Sequence, residues 1–333
     1  MIAKRAVGRV SLHGYSALAL LAFGLHCEAA AQSYPSNTIR IVATTSPGSP
    51  PDVISRVIAT ELAETEGWRV VVENRSGALT TLATADVLKQ PADGYSIFPM
   101  SMPTMVIPSL LPRANLRPDT DFAPVIKIAT SYTALVATPS LAVKSVGELV
   151  ALLKSQPNKF NISVGIFGSP SHLLGEVFKL QTGVHASLVP YQQNQQRIAD
   201  LLTGTTHFSF YTTTVVTNLI AAGKLRALAV TAPKRIAALE DVPTIAEAGF
   251  PELVAPGEDW VGFSVRSETP SDIVMRLNQA VNKALTKQKV RDALASLGAE
   301  PVGGTPAEFG SLIKSQLVYW DNVVKQAGIK VPQ

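Results

Sequence analysis

A strand that runs into Gly-Ser-Pro and opens directly into a helix occurs twice in this chain, and that repeated junction limits its possible folds more than any other feature. The first copy lies in Ile39 to Leu62, IRIVATTSPGSPPDVISRVIATEL. Ile39 to Ala43 is a short apolar, β-prone run and reads as a buried strand. Thr44 to Pro51 is loop chemistry. From Val53 the apolar residues Val53, Ile54, Val57, Ile58 and Leu62 follow the spacing of one helix face. Ser49-Pro50-Pro51-Asp52 supplies the helix start: a serine cap, proline at the first helical position and a carboxylate three residues after the cap. The backbone N–H groups of such a helix start, with the helix dipole behind them, make a seat for an anion. The second copy runs from Asn161 to Gly168 (NISVGIFG), then Ser169-Pro170-Ser171-His172, then LLGEVFKLQTG. Two such seats in separate α/β regions point to a ligand held between them. The same pattern also serves ordinary βα turns with capped helices.

The rest of the chain follows an alternating rhythm. Val70 to Glu73 reads as a strand, Ala78 to Lys89 as a small-residue helix and Tyr95 to Met100 as a third strand ending at Ser101-Met102-Pro103-Thr104. A βαβαβ run predicts a parallel sheet with right-handed crossovers, and ligands bind beyond the carboxyl ends of its strands. Gly48, Ser49, Gly77, Ser101 and Thr104 fall at those ends. Leu111 to Asp121, polar and with two prolines, reads as a loop; Val125 to Ala129 and Ala134 to Ala137 read as two strands, and Pro139-Ser140 as a crossing into a second region. There the expected elements are a helix at Val146 to Leu153, a strand at Val184 to Pro190 ending at Tyr191, and a helix at Arg197 to Leu202. A strand at His207 to Tyr211, a helix at Thr212 to Ala222 and a strand at Leu225 to Thr231 follow. A short helix at Thr244 to Ala248 precedes a returning strand, Trp260 to Val265. Helices at Pro270 to Thr286, Val290 to Leu297 and Pro306 to Gln326 form a tail broken by Gly298, Gly303 and Gly304. A tail that returns to the first region gives two α/β domains joined by two crossings.

The first thirty-one residues read as a secretory leader. Lys4, Arg5 and Arg9 form a basic start, Ala17 to Leu25 an apolar segment too short to span a bilayer, and Ala29-Ala30-Ala31 a small-residue cleavage site. Cleavage near Ala31 places the product in the periplasm. The single cysteine, Cys27, lies in this leader, so the processed chain has no disulfide, no thiolate catalysis and no cysteine metal site. Of the formal charge of +4, the leader's Lys4, Arg5, Arg9 and Glu28 contribute +2, leaving +2 for the rest. No Lys/Arg stripe marks a nucleic-acid surface.

The sequence resembles the Bug family (UPF0065) of bacterial periplasmic solute receptors, associated with tripartite tricarboxylate transporters. The markers run from about Tyr34 to Lys330: YPSNTIRIV; VVVENRSGA at 70–78; DGYSI at 93–97; PSHLLGE at 170–176; VPY at 189–191; AGKLRALAVTAPKR at 222–235; DVPTIAEAGFP at 241–251; and LGAEPVGGTPAEF at 297–309. The resemblance implies an α/β, two-lobed periplasmic-binding-protein fold (Venus flytrap, type II-like) that closes by a hinge on a small carboxylate in the cleft between its lobes. It implies β–α loops from both lobes, Thr44 to Asp52 and Gly168 to His172, holding that carboxylate partly through water. The lobes divide as 32–138 with 260–333, and 139–259.

Three departures bear on the ligand. Gly48 is followed by Ser49-Pro50 where the family usually has a second glycine; Gln192-Gln193 follows VPY in place of Lys-Gly; and His207-Phe208-Ser209-Phe210-Tyr211 lacks an aspartate that in the family suits a ligand amino group. The last argues against an amino acid. Tyr191, Phe210 and Tyr211 suit an aromatic ring or aliphatic chain.

The ligand-binding set on this reading is Ser46, Gly48, Ser49, Asp52, Ser101, Thr104, Gly168, Ser169, Ser171, His172, Tyr191 and Tyr211. Asp52 either orients ligand-bound water or completes a capping box. His172 either touches ligand or holds a neutral hydrogen bond, and the serines beside helices also serve as caps. No cofactor and no metal are implied: His172, His185 and His207 lack ligand spacing. No Gly-x-Ser-x-Gly elbow, Walker loop or dinucleotide fingerprint is present. The reading is a non-enzymatic monomer that binds a small organic carboxylate, aromatic and dicarboxylic acids included, and delivers it to membrane permease subunits. The alternatives are a secreted hydrolase using Ser169 or Ser171, and a ligand sensor for a membrane signalling partner.

Overall fold

The computed structural model describes residues 1–2, 34–45, 47–77, 80–165, 167–253 and 258–330. The proposed leader, apart from Met1 and Ile2, and Ser46 lie outside the described residues. The elements below all belong to the unit Asn37–Gln333.

The first βα units form as the apolar patterning dictates: β1 (Ile39–Ala43), α1 (Pro50–Glu66), β2 (Val70–Asn74), α2 (Thr81–Leu88), β3 (Ser96–Ser101) and α3 (Met102–Leu110). Strands β2, β1 and β3 lie side by side and parallel, which puts all three carboxyl ends on one edge. After a single 3-10 turn and the short helix α4 (Pro118–Asp121), the chain enters β4 (Phe122–Ala137). The segment expected to be a loop therefore holds short helical turns, and the two expected strands are one continuous strand. Beyond it come α5 (Val146–Ser155), β5 (Asn161–Val164), α6 (Pro170–Thr182), β6 (Ser187–Pro190), α7 (Asn194–Thr203), β7 (Phe208–Thr212), α8 (Thr213–Ala221) and β8 (Arg226–Val230). The chain returns through β9 (Glu258–Arg266) to α9 (Ser271–Leu285), α10 (Gln288–Ser296), β10 (Ala299–Gly303) and α11 (Pro306–Ala327). Thr244 to Ala248 is a turn with an isolated parallel bridge from Thr244 to Val230, not the expected helix.

Strand β4 ties the sheet together. Phe122 to Tyr132 pair with β9, and Lys127 to Ser131 also pair with β10; Thr133 to Ala137 pair with β7 and β8. The strands run β2-β1-β3-β9-β4-β7-β5-β6, with β5 parallel to both β6 and β7. The partner change falls at Thr133, whose backbone N–H donates to Thr231 Oγ1 at 3.0 Å. Register shifts between Pro124 and Ile126 and between Lys127 and Ala129 bend the β4–β9 ladder. Gly262 of β9 passes so close to α11 that a Cβ there would lie 2.3 Å from Phe309 Cζ and 2.7 Å from the Ile126 carbonyl. Any side chain at 262 therefore forces α11 off the sheet.

The core follows the same division of labour. Trp260 and Phe309 meet edge to face with centroids 5.5 Å apart where α11 covers β9. Phe178 of α6 meets Phe208 and Phe210 of β7, each at 5.9 Å. Each of these fully buried rings contributes about 1.5–3 kcal/mol from area alone.

Candidate functional site

The candidate residues fall into two sets, one at the carboxyl ends of β1, β2 and β3, the other at those of β5, β6 and β7. In the first set Asp52 is the centre. It is 1 % exposed. Its carboxylate accepts from the Gly48 N–H at 2.9 Å, Asn74 Nδ2 at 2.7 Å and Arg56 Nε at 3.1 Å. Asn74 also donates to the Thr45 carbonyl at 2.9 Å, stitching the end of β2 to the loop after β1. Burial alone would raise the Asp52 pKa; hydrogen bonds from Arg56, Asn74 and Gly48 outweigh it and hold the group below the usual carboxylate range. Gly48 takes φ +81, the left-handed turn that a glycine allows without strain.

This junction differs from its sequence expectation. Ser49 stands at the N-cap position, but its hydroxyl donates to Thr45 Oγ1 at 2.6 Å and caps no helix amide. Asp52 reaches past the cap to Gly48. Pro50 and Pro51, the first two helical residues, carry no N–H. The free amides expected at this helix start are thus mostly absent, and its anion seat already holds a carboxylate of the chain itself. Next door, Ser101 is the N-cap of α3, and Thr104, one turn in, is fully buried. The hydroxyls of Thr44 and Thr104 are buried with no partner among the described residues.

The loop and helix start of the second set are held by neutral groups. Ser169 caps α6, accepting from the His172 N–H at 3.4 Å. Ser171 Oγ accepts from the Gly165 N–H at 2.9 Å and lies 3.4 Å from Ser169 Oγ. His172, 8 % exposed, accepts from the Gly168 N–H through Nδ1 at 3.4 Å, and its ring lies 4.8 Å from Phe167. Desolvation lowers its pKa, so the imidazole is neutral at pH 7. Gly165 has no room for a side chain: a Cβ would sit 2.8 Å from Ser169 Oγ. Tyr191 donates its N–H to the Val164 carbonyl at 3.0 Å and its phenol to Asp200 at 2.6 Å. Its pKa rises to about 12, through desolvation first and the Asp200 hydrogen bond second. Tyr211, 4 % exposed, has its ring covered by the guanidinium of Arg197, whose central carbon is 3.9 Å from the ring centre.

Asn74 and Arg197 were not singled out by the motif argument. Asn74 stood between Glu73 and Arg75 at the end of a predicted strand, and nothing in that spacing ties it to Asp52, 22 residues earlier. Arg197 carried a readable signal: it stands four residues before Leu201, and both are buried on one face of α7.

Parallel strands whose carboxyl ends carry hydroxyls and helix starts, in two groups linked through the long strand β4, define a solute-binding protein of the two-lobed periplasmic type. The chain belongs to the family described as the tripartite tricarboxylate transporter family receptor, TctC, whose profile matches residues 54–329. It is 33% identical to Protein BugT of Bordetella pertussis over 92% of this chain and 94% of that one. Among solved structures it is similar to the R. palustris protein Rpa4515 with adipate, with 34% identity, a TM-score of 0.78, and 89% of this chain and 99% of the other covered. It is also similar to MatC from Rhodopseudomonas palustris with bound malate, at 28% identity and a TM-score of 0.74, covering 87% of this chain and 100% of the other. Proteins of this family are periplasmic solute receptors, which implies export.

Proposed function

We propose that this protein captures a small organic carboxylate in the periplasm, aromatic and dicarboxylic acids included, and presents it to the membrane permease subunits of a tripartite tricarboxylate-type transporter. The observation that carries the reading is the pair of strand-end groups, at β1–β3 and β5–β7, in a family whose solved relatives hold adipate and malate. On this reading 32–138 with 260–333 form one lobe and 139–259 the other, with β4 and β9 as the crossings. The ligand lies between the lobes, against Ser46, Gly48, Ser49, Ser101 and Thr104 on one side and Gly168, Ser169, Ser171, His172, Tyr191 and Tyr211 on the other. The orphaned hydroxyls of Thr44 and Thr104 supply donors there. Asp52 acts by shaping the loop, and any contact it makes to ligand passes through water. The leader is cleaved near Ala31, and the receptor works as a monomer without catalysis.

The local hydrogen bonds weigh against the hydrolase alternative. Ser171 Oγ is engaged by Gly165, and His172 Nδ1 by Gly168, so the pair stabilises backbone and does not form a nucleophile and its base. A thermal-shift screen of the purified protein against organic, aromatic and amino acids tests the proposal. Carboxylates are expected to raise the melting temperature and leave the ligand unchanged. Tighter binding of amino acids than of carboxylic acids, or turnover of an ester that stops on Ser169→Ala or Ser171→Ala, would overturn it.

A further inference from the structure

Arg197 is a positive charge held inside the protein. It is 4 % exposed, on the face of α7 that packs against the sheet. Its Nη2 donates to the Ser163 carbonyl at 3.1 Å, Ser209 Oγ at 2.5 Å and the Phe210 carbonyl at 2.7 Å. All three acceptors are neutral. Desolvation lowers its pKa to about 10, which still leaves it a cation at pH 7. The nearest acid along its helix, Asp200, accepts from the Tyr191 phenol at 2.6 Å and from Gln196 Nε2 at 2.7 Å, and Arg197 forms no ion pair with it. Two donors in this cluster, Arg197 Nε and the Tyr211 hydroxyl, are buried without an acceptor among the described residues.

A structural role alone explains this poorly. A buried ion without a counter-charge costs several kcal/mol, and an apolar side chain of similar volume would pack α7 onto the sheet at less cost. What the guanidinium adds is a positive potential, strengthened by the low dielectric around it, at the ends of β5, β6 and β7. That is the edge from which the Gly165–His172 loop springs. The first junction, by contrast, carries the Asp52 carboxylate.

We infer that Arg197 is a specificity-determining residue: its buried charge, held in no ion pair among the described residues of the second strand-end group, selects a ligand with a second carboxylate over a monocarboxylate or an amino acid. The inference rests on the carboxylate-receptor reading and narrows it to dianions. Arg197 acts as a fixed charge, and the ligand's polar contacts remain with the loop hydroxyls and amides.

Calorimetric titration of the full chain with matched acids tests this. The probes are adipate against hexanoate and 6-aminohexanoate, which share a carbon chain, and terephthalate against benzoate. The wild-type protein is expected to prefer the diacid in at least one series by about tenfold or more, through the field of the buried charge. Arg197→Met should erase that preference while leaving monoacid affinity within about twofold, and Arg197→Lys should retain part of it. If Arg197→Met does not fold, Ser209→Asp supplies a counter-charge beside the intact arginine and should erase the preference equally. A wild-type protein that binds monoacids as well as diacids overturns this inference alone. So does an Arg197→Met protein, or in its place a Ser209→Asp protein, that keeps the diacid preference, even with a lower melting temperature. A wild-type protein that binds none of the acids overturns the receptor reading as well.

Discussion

The two Gly-Ser-Pro junctions look alike in sequence and are held differently, the first by the ion-paired carboxylate of Asp52 and the second by neutral groups. At the first, the chain fills its own anion seat: Asp52 collects the Gly48 amide, Asn74 and Arg56, and two prolines strip the helix start of N–H donors. At the second, Ser169, Ser171 and His172 hold the loop with neutral groups. Identical turn letters therefore give one loop closed around an internal carboxylate and one held by hydroxyls and a neutral imidazole. On the proposed reading, the attraction for an anionic ligand leans toward the β5–β7 side.

The comparison can be broken most sharply at Asp52. Asp52→Ala leaves Asn74, the Gly48 amide and Arg56 without their shared acceptor and should cost about 2–4 kcal/mol. Ser169→Ala, the parallel change at the second junction, should cost only about 1 kcal/mol. Urea denaturation of both variants measures the contrast, and equal losses would show that the charge difference has no energetic weight. A smaller effect separates the glycines. Gly165→Ala drives a methyl against Ser169 Oγ and should cost about 1–2 kcal/mol, whereas Gly48→Ala has open space and meets only the strain of positive φ, about 1 kcal/mol. Melting temperatures of the two variants would rank them.

The mildest contrast emerges on acidification. His172 and His207 have folded pKa values below the ordinary 6.5, so the unfolded chain binds more protons in that range. Their neutral forms leave stability intact above pH 6.5, and it declines as pH falls below that value. Asp52 is also lowered, which for an acid favours the charged form: its contribution is present above 3.8 and is lost only below it. Between these values the second junction should loosen while the first holds. Hydrogen exchange at pH 7 and pH 5 reads this out, as faster exchange at the start of α6 but not of α1.

Much of the fold was legible because local pattern and tertiary context agree. Apolar runs followed by Gly-Ser-Pro located β1–α1 and β5–α6 to within a few residues. The failures have physical causes. Thr130-Ser131-Tyr132-Thr133 read as a gap between strands because it is polar; in the structure it lies where β4 changes partners, and Thr133 meets Thr231 there. The strand β10 was hidden by Pro301 and the flanking Gly298 and Gly303, which look like breakers, and pairing with β4 overrides that local preference. In the candidate site the hydroxyls announced themselves as caps. The partners of Asp52 did not, because Asn74 arrives from another strand. The significance of Arg197 depends on what fails to surround it, which no linear spacing encodes.

The order of the strands along the chain has one more consequence. Strand β4 is synthesised before β7, β8, β9 and β10, the four strands that flank it. Its first half, Lys127 to Ser131, lacks one of its two strand neighbours until Ala299–Gly303 has left the ribosome. A chain laid out this way remains loose while it is being made and sets only when its final third arrives. That timing suits a polypeptide that has to be threaded through a membrane before it folds.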